Sequence, residues 1–185
     1  RIQPDAKAGD LKFVDYNGDG KIDDNDRQYC GSATPKYTFS LSAGFTWKDL
    51  SVSAMLQGVA GAQAMNVAKC MTLSDVEGNF NRDSRILDAW SETNRDSKIP
   101  RLSKNDPNKN FSTASDWYLE NASYLRLKNV TISYDLTKLI RNWGHLAGRN
   151  SRLSVYISGE NLFTITDYTG IDPECGGWDT MKYPV

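Results

Sequence analysis

Residues 15–26 read Asp15-Tyr16-Asn17-Gly18-Asp19-Gly20-Lys21-Ile22-Asp23-Asp24-Asn25-Asp26. Oxygen-bearing side chains occupy positions 1, 3, 5, 9 and 12 of this stretch: Asp15, Asn17, Asp19, Asp23 and Asp26. Gly20 stands at position 6, where the chain must turn sharply, and Ile22 at position 8. A hard cation takes six to eight oxygens, and these side chains with the Lys21 carbonyl supply about that number. The spacing is that of a calcium loop. Asp26 stands where a Glu is usual, and its shorter arm predicts a weaker or partly hydrated site. Asn17-Gly18 and Asp19-Gly20 are also turn dipeptides that fold without metal. Helices on either side are not expected, because Leu11 to Val14 is short and mixed, and Arg27 to Pro35 carries Gly31 and Pro35.

Elsewhere the residues with chemical potential do not assemble by sequence. Three cysteines, Cys30, Cys70 and Cys175, are widely spaced and match neither a zinc pattern nor a disulfide-dense scaffold. The single histidine, His145, follows Trp143-Gly144 in a turn-like context, with no neighbouring nucleophile. No phosphate loop, paired-carboxylate arrangement or nucleophile–base pair stands out, so an enzyme reading has little support. A formal net charge of −1 over 185 residues gives no drive toward nucleic acid. No apolar run reaches the ~18 residues of a membrane helix. The chain starts at Arg1 and reads as a piece of a longer protein.

The elements that would carry these residues are long strands. From Tyr37 to Trp47 every odd position is apolar (Tyr37, Phe39, Leu41, Ala43, Phe45, Trp47), and Thr, Ser or Gly fill the even ones, with Lys36 and Lys48 flanking them. Period-two alternation of this length predicts a strand with one apolar and one polar face. Lys48-Asp49 is a very short turn, and Leu50, Val52, Ala54, Leu56 and Gly58 continue the pattern, making a hairpin over 36–60. A third strand is expected over 117–136, where the apolar phase switches at Lys128-Asn129 and predicts a bulge. A fourth is expected over 152–164. Globular strands average about five or six residues, whereas a tilted strand needs about nine to eleven to cross a membrane.

The connections alternate in length: 1–35 long, 48–49 tiny, 61–116 very long, 137–151 moderate, 165–185 long. Outer-membrane barrels have short periplasmic turns and long extracellular loops. The fold class expected is therefore all-β, an antiparallel meander forming part of a large transmembrane barrel. The ends near Trp47 and Trp143 face the periplasm, and 1–35, 61–116 and 165–185 face outside. Within 61–116 a helix is expected near Ile86, Leu87 and Trp90, capped by Asp83 or Ser84, as a packing or partner surface. Trp117, Tyr118, Tyr168 and Trp178 fall near the extracellular ends. Trp117, Tyr168 and Trp178 are candidate ligand contacts there, weighed against girdle aromatics. Arg126, Lys128 and Glu160 are expected on the lumen side, because the lipid face penalises charge. The competing reading is a secreted, calcium-stabilised β-sandwich that binds carbohydrate or matrix.

Five segments in order resemble the SusC/RagA-type TonB-dependent outer-membrane transporters, near the C-terminal end of their barrel. They are residues 9–23, Ile-Leu-Asp-Ala-Trp at 86–90 with Lys-Ile-Pro-Arg-Leu at 98–102, residues 122–134, Gly-Glu-Asn-Leu-Phe-Thr at 159–164, and Tyr-Thr-Gly-Ile-Asp-Pro-Glu at 168–174. The resemblance implies a barrel of about twenty-two strands closed by a plug. It also implies import of glycans or peptides, a SusD-like surface lipoprotein as lid, outer-membrane lipid around the wall, and a TonB complex acting on the plug. The chain departs from the family in stopping at Tyr183-Pro184-Val185, before a final strand, so the parent sequence is expected to continue for roughly one membrane strand.

Overall fold

The computed structural model describes residues 2–74, 81–142 and 151–174. The chain divides into two compact units: a loop unit of Arg1–Ser32, Ala64–Glu120 and Thr169–Val185, and a sheet unit of Ala33–Gln63 and Asn121–Tyr168.

The sheet unit is built from β1 (Tyr37–Trp47), β2 (Leu50–Ala60), β5 (Tyr124–Asp135) and β6 (Ser154–Thr166). They form one antiparallel sheet in the order β1-β2-β5-β6. β1 and β2 pair in unbroken register from Tyr37↔Ala60 to Trp47↔Leu50, so alternating apolar residues of the two strands fall on the same face. Lys48, the first residue of the two-residue turn, has φ +54°, a left-handed conformation that a two-residue hairpin demands at this point.

The predicted bulge is present. β2 pairs Met55↔Asn129 and then Leu56↔Leu127, skipping Lys128. β6 pairs Leu127↔Phe163 and Asn129↔Glu160, so Lys128 faces Asn161 and Leu162, and Asn161 takes φ +50°. The extra residue returns the apolar phase of β5 to the face that β1 and β2 established.

β3 (Gln63–Met65) and β4 (Leu119–Asn121) form a separate two-stranded sheet. The expected third strand is thus interrupted. Residues 116–118 are a 3₁₀ turn, β4 follows, and the long strand β5 begins only at Tyr124. The connection after β5 carries a short helix, α2 (Thr137–Asn142), and the loop unit a short helix, α1 (Ala68–Thr72). At 84–88 a 3₁₀ turn forms instead of an α-helix. Asp83 caps it as expected, accepting from the Arg85 N–H at 2.8 Å. Ile86, Leu87 and Trp90 do not share a packed stripe: Leu87 is 88% exposed, while Trp90 lies against Gly9. Trp143, His145, Cys175, Trp178 and the terminal Tyr183-Pro184-Val185 lie outside the described residues.

Candidate functional site

Strand pairing in the sheet unit sorts its side chains onto two chemically different faces. One cross-strand row runs Trp47, Leu50, Tyr134, Val155; the next runs Phe45, Val52, Ile132, Ile157. Beyond the bulge, Leu41, Leu56, Leu127 and Phe163 continue the face, followed by Phe39, Gly58, Leu125 and Ile165. This face is apolar from end to end and bare. Leu41 is 62% exposed, Phe45 64%, Ile157 71% and Ile165 62%. A water-soluble monomer rarely leaves so large a contiguous apolar patch uncovered. Phe39 lies across Gly58, where an added Cβ would meet its ring, so the glycine makes room for the aromatic side chain.

The opposite face carries Thr38, Ser40, Ser42 and Thr46 from β1, with Ser51, Ser53 and Gln57 from β2. β5 adds Arg126, Asn129, Thr131 and Ser133, and β6 adds Ser158, Glu160 and Thr164. Gln57, Arg126 and Thr164 share one row. Arg126 is 2% exposed, donates from Nε to Thr164 Oγ1 at 2.7 Å and lies over the Tyr124 ring at 5.2 Å. The charges expected on the polar side, Arg126 and Glu160, are there, and Lys128 sits at the bulge. Tyr168 is only 6% exposed, so it offers little surface to a ligand.

In the loop unit a polar network ties the N-terminal segment down. Arg101 donates from Nε and Nη2 to the Asp10 carboxylate at 3.1 and 3.0 Å, and Asn110 Nδ2 donates to it at 2.8 Å. Asn110 Oδ1 accepts from the Leu11 N–H, and Gln3 bridges Leu11, Phe13 and Asn108. Burial raises the Asp10 pKa, but bonds from Arg101, the Lys7 N–H and Asn110 outweigh it and hold the carboxyl below its usual value. Asp106 accepts from the N–H groups of Asn110, Phe111 and Ser112, turning the chain between them.

A second node joins β4 to two loops. Glu120 accepts from Lys69 Nζ at 2.8 Å, from the Thr169 N–H at 2.7 Å and from Thr169 Oγ1 at 2.8 Å. Asn66 Nδ2 donates to it at 3.2 Å. Burial raises the Glu120 pKa, while Lys69 and Thr169 lower it further, leaving the carboxyl ionised below its ordinary range. Beside this node opens a cleft of about 510 Å³ lined by residues including Lys69, Asp96, Lys98, Trp117 and Glu120. Trp117, a candidate ligand contact, is held there: its Nε1 donates to the Lys98 carbonyl at 2.9 Å, and Lys69 Nζ lies 4.8 Å from its ring centroid. Phe111 and Tyr118 meet the indole edge-on.

The 15–26 loop is closed by its own side chains. The Asp26 carboxylate accepts from the Tyr16 N–H at 2.8 Å and the Asp23 N–H at 2.9 Å, clasping the loop's two ends. The Asp23 N–H holds the Asp26 carboxyl below its usual value; desolvation opposes it, and the Tyr16 and Asn17 N–H groups add to the lowering. Asp15 accepts from the Gly18 and Gly20 N–H groups, Asn17 from Asp19 and Asp19 from Lys21. Gly18 and Gly20 have φ +74° and +82°, as the turn dipeptides require. Among the described residues no three acidic, histidine or cysteine side chains converge on one point. Each ionised carboxylate keeps unused lone pairs after bonding an N–H, so the donor chemistry still suits a hard cation.

Asp10, Arg101, Asn110, Lys69 and Glu120 were not legible as a set, because Asp10 and Arg101 are 91 residues apart and Asp10 and Asn110 are 100 apart. A polar residue between apolar neighbours is the one local hint, and it names no partner.

A four-stranded antiparallel sheet of membrane-length strands, apolar and bare on one side, polar on the other and open at both edges, is a wall segment of a transmembrane β-barrel. No protein-family model matches the chain. Over 174 residues it is 32% identical to TonB-dependent receptor P3 of Formosa agariphila, a match covering 94% of this chain and 16% of the relative. TonB-dependent receptor SusC of Bacteroides thetaiotaomicron is 28% identical over 93% of the chain and 16% of its own length. The solved RagAB peptide transporter superposes with a TM-score of 0.66 at 32% identity, covering 85% of this chain and 17% of that one. The chain belongs to the SusC/RagA-type TonB-dependent receptors, and it spans about one sixth of the length of the curated relatives it matches.

Proposed function

We propose that this chain is part of the wall and outer loops of an outer-membrane importer that takes up glycan or peptide nutrients with energy delivered through TonB. The observation that carries the reading is the bare apolar face of the sheet unit, coupled to a polar opposite face bearing Arg126, Glu160 and Thr164. In lipid the first face is satisfied, and β2 and β5 pair with a neighbouring strand on both sides. The soluble β-sandwich would need a second sheet on that face, and none covers it among the described residues. The similarity to a SusC protein and to RagAB supports import and a SusD-like lipoprotein lid resting on the long loops. Trp117, in its cleft, is the ligand candidate with the best geometric support. The relatives are receptors and transporters by name, which agrees with a non-enzymatic role.

The 15–26 loop is proposed as an extracellular calcium staple through Asp15, Asn17, Asp19, the Lys21 carbonyl, Asp23 and Asp26. The carboxylates would turn from their N–H partners toward the ion. Calcium outside a cell fills even sites in the range of about 10⁻⁴ to 10⁻³ M.

Uptake of labelled oligosaccharides and oligopeptides by cells carrying the full-length receptor, with and without TonB, tests the import reading. TonB-dependent accumulation of one class is expected. Accumulation of neither, with the receptor present in the outer membrane, overturns it.

A further inference from the structure

The end of the sheet unit at the 48–49 turn carries a feature that import does not require. Trp47 and Tyr134 lie in the same cross-strand row, the last of the apolar face, and are 58% and 45% exposed. Just past that row stand Lys48, Lys138, Arg141 and Arg152, against two carboxylates among the described residues, Asp49 and Asp135. Both carboxylates are engaged. Asp49 accepts from Lys138 Nζ at 2.7 Å, and Asp135 accepts from the Thr137 N–H at 2.7 Å. Lys48 Nζ lies 4.6 Å from the Trp47 ring centroid, which holds the ammonium beside the aromatic side chain at the edge of the apolar face. Lys48, Arg141 and Arg152 are exposed and form no close ion pair among the described residues, Arg152 acting on Asp135 at longer range.

Resting on the wall reading above, we infer that this basic rim binds the headgroups of anionic phospholipids in the leaflet that the short-turn edge meets. The apolar face ends in a row bearing Trp47 and Tyr134 and is followed at once by four cations, of which Lys138 forms a close ion pair among the described residues. That is the order in which a lipid presents acyl chain, interface and phosphate. The Lys138–Asp49 bond joins the start of α2 to the hairpin turn, so both sources of positive charge are held at one level. Charge complementarity and continuity with the bare face therefore select a phospholipid over a soluble anion.

The test is native mass spectrometry of the full-length receptor released from mixed micelles containing phosphatidylglycerol, phosphatidylethanolamine and lipid A. A triple variant, Lys48→Gln with Arg141→Gln and Arg152→Gln, leaves the Lys138–Asp49 bond in place, and Glu160→Gln serves as a charge control on the polar face. Wild type and Glu160→Gln are expected to retain phosphatidylglycerol over phosphatidylethanolamine, and the triple variant to lose about tenfold or more of that preference. Equal retention of the two phospholipids by wild type, or an unchanged preference in the triple variant, overturns the inference. So does preferential retention of lipid A, which would place this edge in the other leaflet. Photo-crosslinking from positions 41 and 45 to diazirine-labelled acyl chains separates the two ideas. Labelling there without headgroup preference sinks only the inference, whereas no labelling at either position sinks the wall reading itself.

Discussion

Placing one arginine on each face of β1 tests the assignment of lipid and polar sides directly. The eleven residues Tyr37–Trp47, at ~3.4 Å per residue and a tilt of roughly 40°, span roughly 25 Å, the height of the apolar band of an outer-membrane barrel. Leu41 lies next to the middle of the strand on the bare face, at 62% exposure. Ser42 is its neighbour on the opposite face, and Tyr37 is the strand's first residue. Arginine at the midplane of the lipid face costs about 2–4 kcal/mol, falling to about 0–1 near the interface. Leu41→Arg should therefore destabilise the full-length receptor by about 2–4 kcal/mol, while Tyr37→Arg costs about 0–1 kcal/mol. Ser42→Arg, at nearly the same depth, should stay within about 1 kcal/mol because the guanidinium remains hydrated. Reversible urea unfolding in lipid vesicles, followed by the heat-modifiable mobility of the barrel, reads all three. Equal penalties for Leu41→Arg and Ser42→Arg would refute the two-faced argument, since depth is shared and only the face differs.

Replacing Glu120 with Ala leaves the Thr169 N–H and hydroxyl without this acceptor and should loosen residues 165–174 by about 1–3 kcal/mol, read as faster amide exchange there. The Glu120 carboxyl is held below its usual value of 4.5, so its contribution is fully present above about that pH and is lost as pH falls through the lower folded value. Glu120→Gln should abolish that acid response, and an unchanged response would clear Glu120 of the role. Asp10→Asn should weaken the clasp on Arg101 by about 1.5–3 kcal/mol and expose residues 2–13 to limited proteolysis; identical cleavage kinetics would show that the network holds without the charge. Millimolar calcium should slow proteolysis within 15–26 in wild type but not in Asp19→Ala, and the same rate with and without calcium in wild type would exclude the staple.

The local signals succeeded where one residue type at one spacing carries the physics. Alternation from Tyr37 to Trp47 placed a long two-faced strand, and the phase switch at Lys128-Asn129 located the bulge, because a pleat turns every second side chain the same way and an extra residue must reverse it. The helix expected near 84–90 failed for the same reason that it was proposed. Three apolar residues in a short window suit a stripe, but Gly9 draws Trp90 against the N-terminal segment and Leu87 is left exposed. The strand expected over 117–136 is interrupted, which was not legible because nothing local marks that β4 pairs with β3 while β5 begins at Tyr124.

By itself, then, the sequence determined the strands, their apolar and polar sides, the turn at Lys48-Asp49 and the ligand-like spacing of 15–26, all of which depend on neighbours within a few residues. The tertiary structure alone decided that Asp10 meets Arg101 and Asn110, that Glu120 gathers Lys69, Asn66 and Thr169, that Trp117 is fixed in a cleft while Tyr168 is buried, and that cations gather past the aromatic row. Those arrangements join residues far apart along the chain, and a hydrogen bond or ion pair depends on distance in space, which one-dimensional spacing does not encode.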